Sequence, residues 1–231
     1  MKKILWDIDG TLLNFDLAET AAIYKCFEIF NLNKPSEDML KTYKDINDSY
    51  WKRLERNEIT RDEVLLGRFR EFFARFGLRT DIVEDFNHKF QIELGKTYVF
   101  NPYGEEIVKK LAESYEQYAV TNGSLTAQRG KLEGSNLNNI FKKSFISELV
   151  GFEKPDPRFF DYVFEKIGSY DLDDYVIIGD SLTSDMLGGK NAKIKTIWFN
   201  PEGKENSLNL DLDYEISSLD EAEKALVEIF K

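Results

Sequence analysis

Lys3-Ile4-Leu5-Trp6-Asp7-Ile8-Asp9-Gly10-Thr11 decides the fold. Its first four residues are a short apolar run and predict a buried strand. Asp7 ends that run abruptly, and a carboxylate placed there alone would be costly to bury. A divalent cation removes that cost, and hard oxygen ligands favour magnesium. Gly10 lets the chain turn sharply, so that the amides beyond it can face an anion. Taken alone, Asp-x-Asp-Gly also occurs in calcium loops and surface turns.

Further strands are predicted at 118–120, 144–146, 175–178, 196–199 and 214–216. Helix-length segments lie between them at 103–115, 125–136, 157–168 and 183–192. A last helix is expected from Ser218, where Ser218 and Glu221 have capping-box spacing. Strands alternating with helices, several of them nearly all apolar, imply a doubly wound parallel α/β sheet, Rossmann-like, covered on both faces. The long interval between the first two strands breaks this rhythm. It reads as helical throughout, with Phe69, Phe72, Phe73 and Phe76 on one helical face. The expected organisation is a core of residues 1–14 and 98–231, with an all-helical insert at 15–97. Residues 201–213 read as a polar surface loop.

The ends of the strands carry the chemistry. Asp7 ends the first, Thr121 the second, and Asp180 follows Gly179 after the fourth; Lys154 lies in the loop beyond the third. In an open parallel sheet the strands' carboxyl ends share one edge, where ligands bind. Thr121-Asn122-Gly123 before a helix start suits phosphate binding. The prolines flanking Asp156 stiffen the loop that would aim Lys154. Asp185 fits a helix cap as readily as a metal ligand.

In order and spacing these four segments resemble the haloacid dehalogenase (HAD) superfamily of phosphohydrolases. The motifs match at Asp7-Ile8-Asp9-Gly10-Thr11, Thr121, Lys154 and Asp180 with Asp185. The insert resembles that superfamily's C1-type cap. Gln128, Lys131-Leu132, Val150-Gly151, Gly188-Gly189 and Trp198-Phe199-Asn200 are similar to the bacterial pyrimidine 5′-nucleotidase branch, as are Trp51 and Gly67-Arg68-Phe69 in the insert. Lys193 departs from it, since that branch has glycine after Asn-Ala, where a left-handed backbone is expected.

The resemblance implies catalysis by Asp7, Asp9 and Lys154. Thr121, Asn122 and Lys154 would bind the substrate phosphate. Mg2+ would sit on Asp7, Asp9 (through its carbonyl) and Asp180, with Asp185 acting from behind or through water. The acid two residues after the nucleophile favours phosphoryl chemistry, since dehalogenases of this fold lack it. Other small-metabolite phosphatases, phosphomutases and a catalytically silent regulatory protein remain alternatives on the same scaffold. Tyr24, Tyr50 and Trp51 could offer a stacking surface, although core packing explains such rings equally well. For Arg68 and His88 a solvated or salt-bridged role is expected.

The 231 residues carry 31 Lys+Arg against 42 Asp+Glu, a net charge of −11. That excess disfavours a nucleic-acid polymer or an anionic membrane as partner. A small phosphorylated metabolite, in particular a nucleoside monophosphate, remains compatible if the local sign is positive. Residues 15–97 carry 14 basic and 16 acidic side chains, so most of the excess lies in the core segments. One cysteine, Cys26, excludes an intramolecular disulfide, and one histidine, His88, excludes multi-histidine chemistry. No export signal or membrane span is visible, which points to the cytoplasm, and a monomer or weak homodimer is expected.

Overall fold

The computed structural model describes Met1–Lys231 and divides into two compact units. Met1–Phe15 and Tyr98–Lys231 form one, and Asp16–Thr97 the other. The first unit is built on six parallel strands: β1 (Lys3–Trp6), β2 (Glu116–Thr121), β3 (Lys143–Ile146), β4 (Tyr175–Gly179), β5 (Lys195–Phe199) and β6 (Tyr214–Ile216). Their order in the sheet is β3-β2-β1-β4-β5-β6. The chain starts in the middle, runs outward to β3, then returns to β4 on the other side of β1. The order therefore reverses between β1 and β4, where a crevice opens at the carboxyl edge.

Alternation along the strands sorts the core into two layers. Ile4, Trp6, Ala119, Val176, Ile178, Ile197 and Phe199 pack on one face, and Leu5, Val120, Phe145, Ile177 and Trp198 on the other. The helices are α1 (Phe15–Ile29), α2 (Glu37–Glu55), α3 (Arg61–Arg75), α4 (Val83–Lys96), α5 (Gly104–Leu111), α6 (Leu125–Gly134), α7 (Ser147–Val150), α8 (Pro157–Ile167), α9 (Leu187–Asn191) and α10 (Ala222–Ile229). α5 and α10 cover the first face, and α8 covers the second through Phe159, Phe160, Val163 and Phe164. α6 begins at Ser124, whose hydroxyl accepts a hydrogen bond from the Ala127 amide, directly after β2.

Two local expectations are corrected. Residues 183–192 do not form one regular helix: Leu182–Met186 wind as a π-helical turn before α9. The Ser218–Glu221 capping box does not form either. Ser218 bonds Asp220, Glu221 accepts from the Ser217 hydroxyl, and a 3-10 turn at Leu219–Glu221 precedes α10. Lys193 has the left-handed backbone expected there, with φ of 60°.

The second unit is helical, with α2, α3, α4 and most of α1. The phenylalanine stripe fills its core: Phe69, Phe72 and Phe73 are fully buried and make tilted or edge-on contacts with Phe27, Tyr43, Phe86 and Phe90. α3 starts with a full capping box, Thr60 with Glu63. Of the solvated or salt-bridged role expected for Arg68, the solvated form is not seen, since the side chain is buried. Its Nη1 donates to Asn47 Oδ1 at 2.6 Å, and Asn47 Nδ2 donates to Glu19 Oε1 at 2.9 Å. Its guanidinium lies over the Phe69 and Phe90 rings, so cation–π contact replaces much of its hydration. His88 is exposed.

Candidate active site

Asp7 stands at the reversal point. Its amide donates to the Ile178 carbonyl at 3.0 Å, so the β1–β4 ladder fixes the residue just beyond the strand. Its carboxylate is buried. Lys154 Nζ donates to Asp7 Oδ1 at 2.8 Å, to Asp185 Oδ1 at 2.6 Å and to the Val120 carbonyl at 2.8 Å. All three of its N–H groups are thereby used. The Thr11 hydroxyl lies 3.1 Å from Asp7 Oδ2 and 3.2 Å from Asp180 Oδ1, joining the two carboxylates.

Two glycines make room for this packing. Gly10 has φ of +92°, and a Cβ on it would stand 2.6 Å from Asp180 Oδ2. A Cβ on Gly179 would stand 2.3 Å from the Asp185 carboxylate. The π-helical turn brings Asp185 back under the sheet edge, where its Oδ2 accepts from the Ser181 amide at 3.1 Å. Both Asp185 oxygens are thus engaged by protein donors.

Carboxylate oxygens of Asp7, Asp180 and Asp185 all lie within 4.8 Å of one another. Three ionised carboxylates against the single Lys154 ammonium would leave two negative charges uncompensated. Burial, and then the Asp185 charge, push the Asp7 carboxyl well above the usual carboxylate range. The same causes raise Asp180 to about 7. For Lys154 burial alone would lower the pKa, but Asp185 and Asp7 offset it and hold the ammonium above its ordinary value. A hard oxygen set with an excess of two negative charges fits a divalent cation such as Mg2+.

The sign of the pH dependence follows. Without metal, the folded state binds more protons than the unfolded chain at Asp180 between about pH 4 and 7, and at Asp7 from about pH 4 upward, so this site's contribution to stability falls as pH rises through that window. Mg2+ bound at these carboxylates would compete with those protons, so its affinity should tighten as pH rises from about 4 towards 7, by up to about tenfold per pH unit for each proton displaced. Calorimetric titration across that range reads the slope, and a pH-independent affinity would exclude binding at these carboxylates.

The remaining expected residues surround this centre. Thr121 ends β2, is buried, and its hydroxyl accepts from the Gly123 amide at 3.1 Å. The Asn122 side chain braces the third segment: Nδ2 donates to the Lys154 carbonyl and Oδ1 accepts from the Lys154 amide, both at 2.8 Å. Asp156 caps α8 by accepting from the Arg158 amide. Asp9 points to α6, where Gln128 Nε2 donates to its Oδ2 at 2.6 Å and Lys131 Nζ to its Oδ1 at 2.5 Å.

Three contributions were not assigned from sequence. Gln128 and Lys131 belonged to the family-like string without a role. Asn101 donates to the Gly10 and Thr11 carbonyls at 3.1 and 2.8 Å and fixes the turn that carries the first motif.

A Rossmann-like sheet with acids and a lysine at its reversal point is the arrangement of a HAD-type hydrolase. The haloacid dehalogenase-like hydrolase model matches residues 4–199, and the chain belongs to that family. YfnB of Bacillus subtilis, named as a HAD-hydrolase, is 36% identical over 95% of this chain and 93% of its own. The pyrimidine 5′-nucleotidase PynA of Streptococcus pneumoniae is 34% identical over 94% of this chain and 91% of its own. The pyrimidine 5′-nucleotidase YjjG of Escherichia coli is 28% identical, covering 96% of both chains. A crystal structure of YfnB bound to magnesium superposes with a TM-score of 0.91 at 35% identity, covering 100% of this chain and 98% of that one. With these relatives inside that family, the chain is a phosphoric monoester hydrolase. No helix is long and apolar enough to cross a membrane.

Proposed function

We propose that the chain is a magnesium-dependent phosphatase acting through an aspartyl phosphate, with a pyrimidine nucleoside 5′-monophosphate as substrate. The meeting of Asp7, Asp180, Asp185 and Lys154 at the β1–β4 reversal carries the chemistry in this reading. PynA and YjjG, both named pyrimidine 5′-nucleotidases, support the substrate class. Asp16–Thr97 is read as the C1-type cap that selects substrate, and the single thiol, buried Cys26, suits work in the cytoplasm.

The Asp7 carboxylate attacks phosphorus in line, forming an acyl phosphate while the ester P–O bond breaks. Asp9 gives its proton to the departing ester oxygen. It then takes one from the water that attacks phosphorus, which releases inorganic phosphate and restores Asp7. Thr121, the backbone amide of Asn122 and Lys154 hold the phosphoryl oxygens, with Lys154 sharing its donors between Asp7 and the incoming anion. Mg2+, held by Asp7, the Asp9 carbonyl and Asp180 with Asp185 behind them, would supply charge neutralisation at the phosphoryl group.

Phosphate release from UMP, dUMP and dTMP should exceed release from sugar phosphates, and the reverse preference would overturn the substrate class. Asp9→Asn should lose about 10²–10⁴-fold in kcat. Its Mg2+ affinity should change little, because the contact expected there is a backbone carbonyl. Unchanged turnover in that variant would remove Asp9 from proton transfer.

A further inference from the structure

We propose that Lys131 and Gln128 are positioning residues that aim the Asp9 carboxyl for proton transfer to the leaving group. The inference rests on Asp9 as the acid and base of the reading above. Residues 128 and 131 are three apart on α6 and so share a face. Both are fully buried, and together they occupy one lone pair on each Asp9 oxygen, at 2.6 and 2.5 Å. Each oxygen keeps a second lone pair, which can carry the transferred proton.

Three features set this contact apart from ordinary packing. Asp9 is the only carboxylate in ion-pair distance of Lys131, whose ammonium otherwise lies over the Phe15 ring, 5.0 Å from its centroid. A helix that needed only to fill the space would have carried a leucine or methionine, since a buried charge is costly to desolvate. Gln128 Oε1 is buried without a hydrogen-bond partner. Its amide nitrogen is turned to Asp9 although its carbonyl end goes unsatisfied, a cost that packing alone would not retain. Gly123 makes the approach possible, since a Cβ there would stand 2.2 Å from Gln128 Nε2.

When the ester bond breaks, the proton leaves Asp9 for the alcohol oxygen and a carboxylate remains. Lys131 and Gln128 already donate to both of its oxygens, so the group that forms is held without rearrangement. Poor leaving groups need that proton and good ones do not.

The test is a leaving-group comparison on the Mg2+-loaded full chain. kcat/KM reports only the steps through ester cleavage, so hydrolysis of the acyl phosphate does not enter it. Lys131→Met should lower kcat/KM by no more than about threefold on p-nitrophenyl phosphate but by about tenfold or more on phenyl phosphate. Lys131→Arg should recover most of the loss on phenyl phosphate, and Gln128→Leu should show the same selectivity more weakly. Mg2+ affinity by calorimetry should stay within about twofold, since none of the cation's expected ligands is altered. Should Lys131→Met fail to fold, Gln128→Leu against Lys131→Arg carries the comparison. Equal losses on both esters, or none on either, would overturn the positioning role alone. No cleavage of either ester by the wild type would overturn the phosphatase reading and this inference with it.

Discussion

Asp7→Asn should abolish Mg2+-dependent phosphate release, a loss of at least ~10⁴-fold. A carboxamide keeps the shape and the hydrogen-bonding reach of the group, so the β1–β4 register and the Lys154 contact have no reason to collapse. It lacks the anionic oxygen that must bond to phosphorus. Stability should move the other way. Burial and the Asp185 charge already push the Asp7 carboxyl well above its usual range, which means that its ionised form is unwelcome in the metal-free fold. A neutral Asn relieves that repulsion, so the metal-free melting temperature should hold or rise at neutral pH. The gain in melting temperature on adding Mg2+ should shrink, because one ligand has gone. Phosphate release and melting curves with and without Mg2+ read both effects. Substantial phosphatase activity in pure Asp7→Asn protein would sink the nucleophile assignment.

The same physics explains what the sequence made legible. β1, β4 and β5 were readable as short, largely apolar runs, as burial between two helical layers requires, whereas β2, β3 and β6 carry polar residues such as Glu116, Lys143 and Glu215 and were readable from their apolar cores and their spacing between helices. Asp7 and Asp180 stood out because they end such runs, where an acid has no packing reason to be. The active-site edge followed from parallel topology alone. Contacts that depend on which helix face turns inward were not legible. Lys131 meets Asp9 across 122 positions of sequence, and nothing in its neighbours separates it from a solvated lysine. The burial of Arg68 was not legible for the same reason: Asn47, to which it donates, and Glu19, to which Asn47 donates in turn, lie on other helices. Ser218 and Glu221 had the right spacing for a capping box, but spacing does not select which of several nearby hydroxyls and carboxylates pair. The π-helical turn at Leu182–Met186 is set by tertiary demands, namely the pull of Asp185 toward Lys154 and the Ser181 amide.

Lys154→Met should separate two roles that the wild-type residue combines. Its ammonium is the only side-chain cation bonded to Asp7 and Asp185, and it is almost fully buried with both. Removing one partner of a buried ion pair costs about 3–5 kcal/mol, because the charges left behind are uncompensated. Here protonation of the stranded carboxyls limits the cost, so the lower end is expected, about 3 kcal/mol. For a chain of this size that is a fall of roughly 6–12 °C in metal-free melting temperature. A divalent cation binding the same carboxylates restores the missing positive charge, so saturating Mg2+ should close much of that gap. Activity should not return with it. The phosphoryl oxygens would still lack the ammonium, and losing such a preorganised charge costs about 10²–10³-fold or more in kcat. Melting temperature and phosphate release, each measured with and without Mg2+, should therefore part company in this variant. If Mg2+ restored both together, Lys154 would be a structural counter-ion for the acids and its phosphate-binding role would fall.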